Sequence, residues 1–118
     1  MARELAPLVE VLAFFAASRN YGFVDRLGGA LNEITATEAV IDALRDYYSQ
    51  CVDRREKCVE VGGERIACPD VSPEELKRAV EAFIARIRGK PGDVIVRETR
   101  ALALEALARK PEAMGRRC

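Results

Sequence analysis

From Leu5 to Ala17 apolar residues fall on every side of a helical wheel: Leu5, Leu8, Val9, Val11, Leu12, Phe14 and Phe15 leave no polar stripe. A helix of that kind is either central to a fold or covered by a neighbour. Ser18 to Asn20 breaks the run, and Tyr21 to Leu31 resumes it with Phe23, Val24, Leu27, Ala30 and Leu31 at helical spacing. Gly28-Gly29 weakens this second helix, because each glycine costs about 1 kcal/mol relative to alanine in a helix interior. Close packing against another helix is the plain reading of the two glycines. A phosphate-cradling loop is the sharper one, but no strand precedes it and the other glycines of a nucleotide fingerprint are missing.

Thr35-Ala36-Thr37-Glu38 has the form of a capping box, with Thr35 as N-cap, and opens a third helix that runs to about Val52. Ile41, Leu44, Tyr48, Cys51 and Val52 are its expected buried stripe, with Glu38, Asp42, Asp46 and Asp53 on an acidic outer face. The pattern then changes period. Cys58 to Cys68 reads as a β-hairpin, and a three-residue turn at Gly62-Gly63-Glu64 sets Val61 opposite Arg65 and Cys58 opposite Cys68. Ser72-Pro73-Glu74-Glu75 is a second capping box with proline at the first helical position. Leu76, Val80, Phe83, Ile84 and Ile87 form the stripe of this fourth helix, and Gly89-Lys90-Pro91-Gly92 ends it. Asp93 caps a last helix over 94–109, with Ile95, Leu102, Ala103, Ala106 and Leu107 inward, and Pro111 stops it.

These elements predict a mainly α fold, a small bundle of about five helices with one short β-hairpin between the third and fourth. The whole chain, 1–118, reads as a single helical domain: a helical half 1–55, the hairpin 58–68, a second helical half 72–110 and a loose tail 111–118. A chain of 118 residues with 49% hydrophobic content is sized for one core.

The cysteines sharpen the hairpin. Spacings between Cys51, Cys58, Cys68 and Cys118 contain no tight CxxC pair, so neither a zinc site nor a dithiol redox motif is indicated. Four cysteines allow three pairings, and the three-residue turn favours Cys58 with Cys68, leaving Cys51 with Cys118. Two asparagines, one glutamine and 32% charged residues suggest a hot-living source, in which an intracellular disulfide is compatible with a cytoplasmic location. Glu10 sits inside the apolar segment Leu8 to Ala17 and Glu4 cancels Arg3, which argues against a signal peptide. At about ten residues, the segment is also far short of the roughly twenty that span a bilayer.

Histidine is absent, which removes the commonest general base and zinc ligand, and no catalytic residues, metal site or cofactor are indicated. The acidic face of the third helix is read as solvated surface. Charge is zero overall but uneven. Residues 1–53 carry four basic and eight acidic side chains, and residues 54–118 carry fifteen and eleven, so the halves are about −4 and +4. The basic excess is densest from Lys77 to Lys90, where Lys77, Arg78, Arg86, Arg88 and Lys90 meet one acid, Glu81. Arg97 and Arg100 follow on the last helix. Such cations can neutralise phosphates without reading sequence. The plain alternative is a solvated surface laced with ion pairs.

Asn20-Tyr21-Gly22-Phe23-Val24-Asp25-Arg26-Leu27, followed by Ala30-Leu31, resembles the small subunit of archaeal type I-A CRISPR interference complexes. The resemblance rests mainly on residues 5–50. It implies a non-catalytic protein that packs in several copies along a crRNA-guided surveillance complex. Its implied partners are the backbone of crRNA or single-stranded DNA, other interference-complex subunits and further copies of itself, with no membrane. Arg26 is the basic residue within the motif, with phosphate or Asp25 as its expected partner. The rival expectation is an assembly adaptor without a nucleic-acid role, using the all-round apolar first helix as its surface. A transcription regulator would need a recognition helix with a clear basic face, and none is evident.

Overall fold

The computed structural model describes residues 3–18, 22–53, 57–116 and 118. A 3-10 turn, Arg3–Leu5, leads into α1, Ala6–Ala17, followed by α2, Gly22–Gly28, and α3, Glu33–Tyr47. A π-helical turn, Tyr48–Val52, precedes the hairpin strands β1, Cys58–Val61, and β2, Glu64–Ala67. The chain then forms α4, Pro73–Ile87, and α5, Gly92–Gly115. The fold is mainly helical, with five helices and one hairpin between α3 and α4. The expected helix start at Tyr21, and Asn20 and Tyr21 of the motif, lie outside the described residues.

The apolar wheel of α1 has a direct structural counterpart. Leu8, Val9 and every residue from Val11 to Ala17 are buried, because α5 lies along this helix while α2 and α4 pack on other sides. Phe14, Phe15 and Phe23 form a tilted aromatic series with centroids 5.5 and 5.4 Å apart. α4 adds Leu76, Ala79, Val80, Phe83 and Ile87 to the same core, close to its expected stripe, with Ile84 half-buried. The one fully buried polar side chain among the described residues, Thr99, returns its hydroxyl to Ile95 O at 2.9 Å and Val96 O at 3.1 Å, so nothing polar is left unpaired there.

Several boundaries depart from those the sequence pattern predicts. The N-cap of α3 is Asn32, not Thr35. Asn32 Oδ1 accepts from Thr35 N at 3.0 Å while Thr35 Oγ1 accepts from Asn32 N at 3.4 Å, a box one turn earlier. The buried face of α3 is accordingly Ala36, Ala39, Val40, Ala43 and Tyr47, mostly small residues that allow close approach, while Ile41, Leu44, Tyr48, Cys51 and Val52 are not fully buried. The pair Gly28-Gly29 ends α2 and does not pack against another helix. A Cβ on Gly28 would meet nothing, and one on Gly29 would touch only carbonyls of its own helix. Leu31, expected within the second helix, therefore lies beyond it at 70% exposure.

α5 begins with Pro91 as N-cap, leaving Asp93 in the first turn, where its charge suits the helix dipole. Pro111 does not stop it. A proline removes one N–H and denies the carbonyl four residues back its partner, but that residue, Leu107, is 40% exposed and water can serve its carbonyl. Ala113 then reaches the core. The segment from Pro111 is thus not a loose tail: the helix runs to Gly115, Arg116 O accepts from Ala67 N at 2.7 Å, and Cys118 N donates to Arg65 O at 3.3 Å.

The hairpin turn is two residues long, Gly62-Gly63, with φ of +56° and +85°, as a type I′ turn requires. Cys58 consequently faces Ala67, and Val61 faces Glu64, one residue out of the expected register. A one-residue slip sends side chains to opposite faces, so Cys58 and Cys68 cannot meet. The expected Cys58–Cys68 and Cys51–Cys118 pairs are replaced by Cys51–Cys68, Cα atoms 6.0 Å apart, and Cys58–Cys118, 6.2 Å apart. The first ties the π turn to the end of the hairpin, and the second ties β1 to the segment after α5. Loop closure alone assigns roughly 3 kcal/mol to a 17-residue loop and roughly 4 to a 60-residue one.

A third fastening is polar. The buried Tyr47 hydroxyl donates to Val71 O at 3.0 Å and lies 3.4 Å from Pro69 O, holding the exit of the hairpin against α3. Burial, aided by Tyr48, Asp70 and Glu10, raises the Tyr47 phenol above its usual 10.0. The unfolded chain ionises this phenol first, so its contribution is intact below about pH 10 and declines as pH rises above that value. Tyr47→Phe should cost about 1 kcal/mol near neutrality and remove that part of the alkaline decline, as read by urea unfolding at stepped pH. Peptide mapping under non-reducing conditions should recover Cys51 joined to Cys68 and Cys58 joined to Cys118; a peptide joining Cys58 to Cys68 would refute the register.

Candidate nucleic-acid and assembly surface

The basic residues singled out from the sequence do not form one patch. On α4, Lys77 and Arg88 share one flank, whereas Arg78 and Arg86 project toward the other. Arg86 is committed to carboxylates, 3.1 Å from Glu4 and 3.9 Å from Glu98, and so joins the N-terminal turn to α4 and α5. Arg88 lies 4.0 Å from Glu33, whose other oxygen accepts from Gly89 N at 3.3 Å where α4 ends. Gly89 takes φ of +71° there, a left-handed cap suited to glycine. Arg26 pairs with Asp42 across α2 and α3, not with Asp25. Those three arginines face carboxylates of other elements, Arg88 only at the limit of ion-pair distance. Lys77, Arg78, Lys90, Arg97 and Arg100 are exposed and have no carboxylate within 4 Å among the described residues.

Around Arg78 a shallow groove runs between the N-terminal turn and α4, lined by Arg3, Glu4, Pro7, Glu75 and Ala82. Its charges alternate in sign and largely cancel. The acidic face of α3 is likewise used locally, with Asp42 on Arg26 and Asp46 accepting from Gln50 Nε2 at 3.0 Å. Among the described residues no cluster of three metal-ligating side chains occurs.

The outer face of α5 is different. Its inner face, Ile95, Thr99, Leu102, Ala106 and Ala113, is buried. Half a revolution away, Arg97, Arg100, Leu104, Leu107, Pro111 and Met114 follow one another at spacings of three and four, on one exposed face. Leu104 is 66% exposed, Leu107 40% and Met114 48%. The sequence pattern conceals this stripe, because Leu107 reads as core and Pro111 as a helix end. The spacing Leu104, Leu107, Pro111, Met114 is itself a signal, but a helix stopped at 109 hides its second half.

No described helix is long and apolar enough to cross a membrane. The Arg26–Asp42 pair, well exposed on both sides, should show a coupling of no more than about 1 kcal/mol in a double-mutant cycle with alanine, read by chemical unfolding. Comparison of the chain with protein-family models, with curated proteins and with solved structures finds no match to any of the three.

Proposed function

We propose that the chain is a non-catalytic subunit of a nucleoprotein assembly, with α5 as its contact helix. The single observation that carries this reading is the division of one exposed helix face into two chemistries: Arg97 and Arg100, without a carboxylate partner among the described residues, in its first half, and Leu104, Leu107, Pro111 and Met114 in its second. The guanidinium groups suit the sugar-phosphate backbone, which they meet without reading bases. The aliphatic half suits a neighbouring protein subunit, since covering it removes apolar surface from water. Lys77 on α4 and Lys90 on the loop after it are further exposed cations, separate from this face. The crRNA-guided interference complex suggested by the motif ending in Leu31 is the specific assembly this reading names, with crRNA or single-stranded DNA as the strand.

An assembly adaptor without nucleic acid is the second reading. Supporting it, Arg26, Arg86 and Arg88 already hold carboxylates. Its surface is the apolar half of α5, because the apolar side chains of α1 are covered and cannot serve.

Fluorescence anisotropy with a single-stranded oligonucleotide at stepped salt separates the two. Binding should weaken as salt rises, and the double substitution Arg97→Ala, Arg100→Ala should flatten the logarithmic salt slope by about 1.4, or roughly 0.7 for each phosphate no longer neutralised. Unaltered binding by that variant moves the interface elsewhere, and no binding at low salt favours the adaptor. Leu104→Glu should leave the salt slope unchanged while reducing association with a protein partner or a second copy, measured by sedimentation velocity.

A further inference from the structure

We propose that the Cys58–Cys118 disulfide is a redox-released clasp, opened by a dithiol reductant before Cys51–Cys68, and that its opening frees the segment after α5 and bares the outer edge of β2. The two cross-links sit in unlike surroundings. Cys118 is exposed, with its partner Cys58 half-buried, whereas Cys51 and Cys68 are both half-buried, next to the buried Pro69 and the Tyr47 hydroxyl that holds Val71. An attacking thiolate therefore has open access to the Cys118 sulfur and restricted access to the other pair.

What the clasp holds is otherwise lightly attached. The last side chain of α5 that reaches the core is Ala113, and Met114, Gly115 and Arg116 are exposed. Beyond them, among the described residues, two backbone hydrogen bonds fasten the segment to the hairpin: Ala67 N to Arg116 O at 2.7 Å and Cys118 N to Arg65 O at 3.3 Å. They lie on the edge of β2 that faces away from β1, so Arg116 and Cys118 take up the pairing groups that a third strand would. Opening the clasp leaves the Ala67 N–H and the Arg65 carbonyl without these partners, the pairing groups of an edge strand. The hairpin itself stays in place, since Cys51–Cys68 and Tyr47 anchor its exit to the end of α3.

The chemistry balances with a dithiol as the named reductant. One of its thiolates attacks the Cys118 sulfur; the S–S bond breaks and Cys58 departs with the electron pair and takes up a proton. The second thiol of the reductant then displaces Cys118 as a thiol, and the reductant leaves as a cyclic disulfide. The protein gains two electrons and two protons, and the dithiol loses them.

The test uses the intact chain under native conditions with limiting dithiothreitol, thiol trapping by iodoacetamide, and mass spectrometry. Cys58 and Cys118 should be alkylated while Cys51 and Cys68 remain joined. In the same partly reduced sample, hydrogen exchange at the Ala67 amide should quicken by roughly five- to tenfold, the factor expected for one net hydrogen bond, with the helical circular dichroism retained. Cys118→Ser under oxidising conditions should reproduce that quickening without reductant. Opening of Cys51–Cys68 first, unchanged Ala67 exchange once Cys58 and Cys118 are free, or loss of helical signal on their reduction would each overturn the proposal.

Discussion

The helical part of this fold follows from the need to cover a helix whose apolar residues leave no polar side. α1 brings Leu8, Val9, Val11, Leu12, Phe14 and Phe15 to the centre, and each face left in water would forfeit roughly 25 cal/mol per Å² of apolar surface. One neighbour cannot cover a cylinder. The longest helix, α5, lies along one side, α4 and the N-terminal turn close another, and α2 fills a third. These neighbours are amphipathic because α1 is not: each turns one face to it and keeps the other for water or partners.

The hairpin sits at the edge of that core, with Ile66 inside it and Val59, Val61 and Cys68 packed against it, and is secured by further means. Only Ile66 of its two strands is buried, so burial alone would hold it weakly. Covalent links and one buried hydroxyl compensate. The turn decides how those links are distributed, because Gly62-Gly63 accommodates two successive positive φ values and shortens the loop to two residues. With that register, Cys58 turns to the segment after α5 and Cys68 turns to the π turn that follows α3. The hairpin is thereby joined once to the turn that follows α3 and once to the segment after α5.

Charge follows the same logic of local use before display. Several arginines that look available along the sequence face carboxylates of other elements: Arg26 between α2 and α3, Arg86 between the N-terminal turn, α4 and α5, and, more loosely, the exposed Arg88 near Glu33 at the start of α3. What remains on the surface is smaller and differently placed than the basic run 77–90 suggests. The outer face of α5 gathers uncommitted cations at one end and uncovered aliphatics at the other, so a single helix presents two kinds of surface side by side.

The number and order of elements, the central position of α1, the cap at Ser72 and the hairpin between α3 and α4 are legible in the sequence, because each depends on periodicity or on chemistry within a few residues. Ser72 accepts from Glu75 N at 3.1 Å wherever the helix lies. Where two local signals compete, tertiary structure decides. Asn32 prevails over Thr35 as cap, with Ala36, Ala39 and Ala43 buried along the helix it opens, and α5 runs through Pro111 to bury Ala113 beyond it. Cysteine pairing and arginine availability are beyond local reading altogether. Both depend on which residues distant in sequence arrive at one point in space, and a single residue of turn length or one carboxylate from another helix is enough to redirect them.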